Sequence, residues 1–438
     1  MAELIIIGGG LAGSEAAWQA AVGGLSVILY EMRPQKLTEA HRTGMLGELV
    51  CSNSLRSGDI YSGPGLLKKE LSLASSLIMQ AADRARVPAG SAVAVNRDLF
   101  ARYITDNLTC HPNITLVRRE VDTVPDSTAI IATGPLTSTG MTDAVAELIG
   151  EPYLYFHDAI APIVDASSIQ YDKVYKSSRY GKGGDDYINC PMTKSEYESF
   201  HGAVMAADKV KRRDFENARI FEGCMPIEVM AMRGPDTLRF GPMKPVGLLD
   251  PRTGREPYAV VQLRTENVEC TAYNMVGFQT RLTWTEQKKV FRMIHGLENA
   301  IFLRYGSLHR NTFINAPRVL EKDLSLKNNQ DIFMAGQITG VEGYIESTAM
   351  GLIAGINAFL KLRGKEMIEV PPATSHGALI RYITESNSKR FQPSNIHFGL
   401  FPALQHPTGV KKGKEKRKMI AERAITEWQD YISQINAQ

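Results

Sequence analysis

The sequence lacks the features that mark several whole classes of protein. Its 438 residues hold only five cysteines, at positions 51, 110, 190, 224 and 270, with no Cys-x-x-Cys pair and no Cys/His cluster at ligand spacing. An odd count without close pairs argues against a disulfide framework and against a zinc site, so reduced thiols and no metal are expected. Uncharged apolar stretches read as too short to span a bilayer. The chain also opens on a strand-like run rather than on a charged segment leading into an apolar one. No membrane association and a cytoplasmic location are therefore expected. Charge of one sign is lacking too, since 50 Lys and Arg against 47 Asp and Glu leave a net charge of +3. Only locally is charge uneven, in Lys209, Lys211, Arg212 and Arg213 and in the run from Lys411 to Lys418. Such clusters are most often solvated faces, and otherwise they neutralise phosphates.

What is present is concentrated at the start. The apolar run Leu4–Ile7 meets Gly8, Gly9, Gly10, Leu11, Ala12 and Gly13, a helix-forming stretch follows, and a second apolar run ends on Glu31. A strand, a glycine turn, a helix and an acid at this interval form a dinucleotide-binding unit. Gly8 permits the turn, Gly10 lets the backbone approach a pyrophosphate, and Gly13 allows close helix packing. The helix N-terminus then offers free N–H groups and a positive dipole end to the phosphates. Glu31 is placed for a ribose hydroxyl, and its charge would repel a 2′-phosphate. FAD, NAD and S-adenosylmethionine all remain possible ligands of this unit alone.

Two later strand-to-glycine junctions extend the pattern. Ala129–Ala132 runs into Gly134, and Asp331–Ala335 runs into Gly336, Gln337 and later Gly343, ahead of a helical segment from Ser347 to Leu360. The expected fold class is α/β, a Rossmann-like, glutathione-reductase-type FAD-binding domain built from both ends of the chain, residues 1–150 and 328–365. Pro- and Gly-punctuated β-rich runs predict an inserted α+β domain over 151–327 on the substrate side, and 366–438 read as a helical, basic C-terminal tail. Helices are expected from Asn96 to Leu108 and from Lys414 to Ile435, with a strand over Ile114–Val117.

Taken together, GGGLAGSEAAW at 8–18, YEMRP at 30–34, LVCSNSLR at 49–56, FEGCMPIE at 221–228, VGFQTR at 276–281, LHRNT at 308–312 and AGQITGVEGY at 335–344 give the chain its likeness. It resembles the flavin- and folate-dependent tRNA (uracil-C5) methyltransferases of the TrmFO type, which are relatives of the GidA flavoproteins. The resemblance implies FAD as cofactor, 5,10-methylenetetrahydrofolate as carbon donor, NAD(P)H as reductant and a T-loop uridine of tRNA as acceptor. It also implies catalytic roles for Cys51 and Cys224, and it singles out His309 for the folate pterin with Arg281 for the folate carboxylate.

That chemistry suits two thiols. Uracil C5 becomes nucleophilic only after something adds to C6, and its proton must later be removed by a base. Cys224 is read as the nucleophile and Cys51 as the acid/base, with Arg56 or a helix end as the group that activates Cys51. Cys110, Cys190 and Cys270 read as small buried hydrophobes. A small-molecule flavin oxidoreductase lacks support, because no second Gly-x-Gly-x-x-Gly marks a nicotinamide domain. An S-adenosylmethionine enzyme fits Gly13 and the distant glycine junction less well. A tRNA-binding flavoprotein without methyl transfer, of the GidA kind, leaves the two cysteines unexplained.

Overall fold

A computed structural model describes residues 3–210, 225–404 and 413–438, with the backbone alone at 156–158 and 308–310. Five β-branched or leucine-rich strands set up its first sheet. Glu3–Ile7 lies at the centre, flanked by Ser26–Glu31 and then Ile114–Arg118 on one side and by Ala129–Ile131 and Asn329–Met334 on the other; all these pairs are parallel. Ser325–Leu326 closes the edge antiparallel. Ile6 pairs with Leu29 and Ile130, and Ile130 with Phe333, so residues more than 300 positions apart share one ladder system. Ala129–Ile131 and Ile332–Met334 are buried at consecutive residues, which is why these strands read as continuous apolar runs instead of alternating.

One face is covered by the helices Leu11–Val22 and Tyr344–Leu362. They meet through small residues: a Cβ on Gly351 would fall 2.7 Å from the Cα of Ala12, and one on Gly355 would fall 2.7 Å from the carbonyl oxygen of Ala16. The second helix has 19 residues and is apolar enough to span a bilayer by length and composition, although Glu346 and Lys361 bound its uncharged stretch. Its apolarity is explained by burial, since 83 % of the relevant window is inside the protein.

A second sheet is antiparallel throughout, in the order Tyr175–Lys176, Tyr187–Met192, Ala259–Thr265, Ala272–Met275, Ile163–Asp165 and Phe302–Arg304. It has its own core, in which the Phe278 ring contacts those of Phe200 and Phe291. A two-stranded ribbon, Leu154–Ile160 with Ser307–Phe313, joins the two bodies. The small sheet Ser54–Ser57, Ala92–Val95 and Arg86–Val87 stands beside them, directly after Cys51.

The C-terminal segment packs into the first core. The helix Lys414–Asn436 buries Trp428 and Tyr431 there. Trp428 stacks on His376 with centroids 4.0 Å apart, and its indole N–H donates to the Glu70 carbonyl at 2.7 Å. The Glu70 carboxylate lies 2.7 Å from His376 Nδ1, and all three side chains are sealed from solvent. The cysteines divide: Cys190 is buried, but Cys110 and Cys270 are exposed, which corrects the reading of all three as core residues. Cys110 ends the helix Arg97–Cys110 on its solvent side, and Cys270 sits in a turn with φ of +53°.

Candidate functional site

A cavity opens where the first sheet's strands end. Gly8, Gly10, Leu11, Ala12, Glu31, Gly134, Gly336 and Gln337 all line it. Gly8 takes φ of +106°, and any Cβ there would strike the Ala132 backbone. Gly13 lies behind the cavity wall, pressed on the Gly8 carbonyl. Gly10 differs from both. A Cβ built on it meets no atom within 4 Å, so the space above its backbone is open to a ligand. Gly10 also starts the first helix without any side-chain cap, leaving the first-turn N–H groups directed at that space. The second helix also starts without a side-chain cap, at Gly343 with φ of +116°, but there the Glu346 carboxylate and Arg56 fill the space above the glycine, and the helix reaches the cavity through Tyr344 and Ser347. An uncapped helix start and an open glycine backbone at the mouth of this cavity fit the pyrophosphate of a dinucleotide such as FAD.

Glu31 is only 5 % exposed, and its carboxylate is fully engaged. One oxygen accepts from the Gly9 N–H at 2.8 Å and from an Arg33 guanidinium N–H at 3.1 Å; the other accepts from Arg33 N–H groups at 2.9 and 3.0 Å. Burial works against ionisation here, but the Arg33 hydrogen bonds and charge, with the backbone N–H groups, outweigh it and hold the carboxyl below its ordinary value. A ribose hydroxyl at this position would share the carboxylate with Arg33.

The Cys51 loop borders the same cavity. Val50 lines it, and the Cys51 N–H donates to the hydroxyl of Tyr344, another wall residue, at 2.7 Å. Three arginines, two from the antiparallel sheet and one from a helix, grip this loop. Arg97 donates to the carbonyls of Leu49 and Cys51, Arg264 to Ser52 Oγ at 2.8 Å and Asn53 Oδ1 at 2.9 Å, and Arg304 to the Val50 carbonyl at 2.6 Å. Glu266 neutralises Arg97 at 2.6 Å, but among the described residues neither Arg264 nor Arg304 has a carboxylate partner. Burial, then the charges of Arg97 and Arg42, lower the pKa of Arg304 to about 10, so it is still a cation at neutral pH. The cations at this loop are therefore not Arg56, as sequence proximity had it. Arg56 sits at φ of +63° and turns to the buried Glu346.

The family model for glucose inhibited division protein A matches residues 3–366. The chain is 57 % identical over 427 residues to the methylenetetrahydrofolate–tRNA-(uracil-5-)-methyltransferase TrmFO of Moorella thermoacetica, covering 97 % of each chain. The proteins of that name from Geobacter sulfurreducens and Aquifex aeolicus are 56 % and 54 % identical, and at least 97 % of each chain is covered. The chain belongs to the TrmFO family. Among solved structures, Aquifex aeolicus GidA superposes with a TM-score of 0.73 at 17 % identity, covering 99 % of this chain and 73 % of that one, so the two share a fold.

In this TrmFO-family chain the remaining sequence candidates are scattered. Cys224 lies outside the described residues, as do Lys211, Arg212, Arg213, Lys411 and Lys412. His309 sits opposite Asp158 in the connecting ribbon, with its side chain outside the described part. Arg281 faces the buried Glu228 at 3.4 Å, with its backbone N–H on the same carboxylate, so a folate carboxylate would compete with Glu228 for it. Sequence reasoning missed Arg33, Arg97, Arg264 and Arg304. Arg33 had a signal in the YEMRP segment; the others stand alone among ordinary residues.

Proposed function

We propose that this chain transfers the one-carbon unit of 5,10-methylenetetrahydrofolate to C5 of a T-loop uridine in cytoplasmic tRNA, with FAD in the cavity described above and NAD(P)H as reductant. The observation that carries the reading is the identity of 54–57 % with TrmFO proteins along nearly the whole chain. When bound, FAD supplies the electrons that reduce the transferred carbon. The protein's part is to hold, orient and move protons. Gly10 and the start of the first helix bind the pyrophosphate, while Glu31 and Arg33 face the adenosine side.

Cys224 Sγ adds to uracil C6, which places enolate character on C5. Once carbon is attached, Cys51 takes the C5 proton and the folate nitrogen leaves with the electron pair of its bond to that carbon. After two-electron reduction of the carbon to a methyl group, loss of Cys224 as thiolate restores the C5–C6 double bond. Arg97, Arg264 and Arg304 fix the loop that presents Cys51, and Tyr344 ties that loop to the cavity wall. His309 and Arg281 are proposed for the pterin and the folate carboxylate.

The test supplies unmodified tRNA, methylenetetrahydrofolate and NAD(P)H and measures 5-methyluridine. Product is expected with the native protein and with Cys110→Ser, and its loss with Cys51→Ser and Cys224→Ser. Product formed from S-adenosylmethionine alone, or retained after both catalytic substitutions, refutes the proposal.

A further inference from the structure

Away from the cofactor cavity, on the antiparallel-sheet side, Trp284 starts the helix Trp284–Phe291 with 67 % of its surface exposed. Its ring is nonetheless stacked on Tyr305, with centroids 5.5 Å apart and 15° between planes. Tyr305 in turn lies 5.4 Å from Phe302, which packs on the second core. Single exposed aromatics are ordinary, but here three rings form a ladder rooted in the interior and ending at solvent.

The ladder is also held in place. Gln287, fully buried, donates to the Gly306 and Leu282 carbonyls at 2.9 and 2.7 Å and accepts from the Gly306 N–H at 2.7 Å. These bonds fasten the helix bearing Trp284 to the strand connection bearing Tyr305, so the indole is presented in a fixed orientation before any ligand arrives.

The surrounding charge is light and positive. Lys288 is exposed one turn on from Trp284, on the same helix face. Lys209 and Val210 run antiparallel to Arg281–Leu282, immediately before Trp284, through a bridge at Lys209 and Leu282 and a Val210 N–H to Arg281 carbonyl bond of 2.9 Å. Against these stand the exposed Asp208 and the half-buried Glu286, and Lys289 lies 3.7 Å from Glu286. Tyr305 also directly follows Arg304, which holds the Val50 carbonyl beside Cys51. A flat face with a small excess of positive charge, one residue along the chain from the arginine that holds the thiol loop, matches a nucleotide whose base stacks while its phosphate is only lightly contacted.

We propose that Trp284, backed by Tyr305, is a stacking platform for an unpaired base of the RNA substrate, next to the uridine that is methylated. This rests on the tRNA-methylation reading above and adds the residue that captures the neighbouring base. Binding is measured at fixed salt by anisotropy of a labelled tRNA transcript, without turnover, so it does not depend on the fate of the catalytic reading.

Trp284→Ala is expected to weaken RNA binding about 5- to 100-fold, with Trp284→Phe retaining most of the affinity and the salt dependence nearly unchanged. Native tryptophan emission should be quenched by RNA, and the quench should vanish in Trp284→Phe, because Trp18 and Trp428 pack on the other core. Native-like RNA affinity in Trp284→Ala overturns the proposal. So does a raised KM for folate at unchanged RNA affinity, or loss of a concentration-dependent dimer in place of lost RNA binding.

Discussion

Gly10 and Gly351 both lie at the first helix, yet substituting each with alanine should produce opposite defects. At Gly10 the backbone has φ of −73° and ψ of −169°, which alanine adopts freely, and the new Cβ meets nothing within 4 Å. The reduced entropy of the unfolded chain, about 0.4–1 kcal/mol, roughly offsets the poorer N-cap residue, so the unliganded protein should be within about 0.5 kcal/mol of native. The methyl group, however, stands where a pyrophosphate would approach. Displacing it is an overpacking problem costing about 1–3 kcal/mol, or about 5- to 150-fold in FAD affinity. At Gly351 the Cβ would fall 2.7 Å from Ala12 backbone atoms and nearer still to the Ala12 carbonyl oxygen, so the two helices must separate. There the gain in helix propensity, about 1 kcal/mol, is outweighed and the unliganded protein loses about 1–2 kcal/mol net. Reconstitution of the stripped protein with FAD, followed by flavin fluorescence, gives the affinity, and denaturant melts of the stripped protein give the stability. Native FAD affinity in Gly10→Ala would refute the assignment of that open backbone to the cofactor.

Three further outcomes follow from buried groups. Lys68, 5 % exposed and donating to the Leu55 carbonyl at 2.8 Å, has its pKa lowered to about 7 by burial, then by Arg56 and Arg86. A base whose folded pKa is depressed binds fewer protons folded than unfolded, so its cost is full below about pH 7 and shrinks as pH rises toward its ordinary value. The stability difference between Lys68→Met and native should therefore favour the variant most at pH 6 to 7 and shrink by pH 10, as read by urea melts; a pH-independent difference contradicts this. Trp428→Ala should cost about 3–5 kcal/mol, since it removes a fully buried indole, its stack on His376 and its bond to Glu70; a loss under about 1 kcal/mol shows the closing helix is not part of the core. Arg304→Met frees the Val50 carbonyl and should lower kcat for methyl transfer by about 10- to 100-fold with FAD affinity unchanged. An unaltered kcat there removes Arg304 from the positioning of Cys51.

The cofactor sheet was legible because its signals are local. Five strands, the glycine turn and the acid at Glu31 each follow from a few neighbouring residues, and the helix predicted from Asn96 has Asn96 itself as cap, accepting from the Asp98 and Leu99 N–H groups. The arginine grip on Cys51 was not legible, because Arg97, Arg264 and Arg304 arrive from separate elements and none carries a neighbouring pattern. Arg56 misled for the complementary reason: five residues along the chain is close in sequence, but its left-handed backbone sends the guanidinium to Glu346. The segment after residue 365 was read from its charge, and its interior contacts depend on Glu70, some 300 positions earlier.

Placing strand Asn329–Met334 against Ala129–Ile131 also sets a timetable for synthesis. While the ribosome is still translating the intervening stretch, the edge of Ala129–Ile131 stays bare, and Gly336 and Gln337 are not there to finish the nucleotide cradle. A nascent chain can hold flavin only after three-quarters of it has emerged. Until then the antiparallel body, whose strands all come from one continuous stretch, has the chance to fold first.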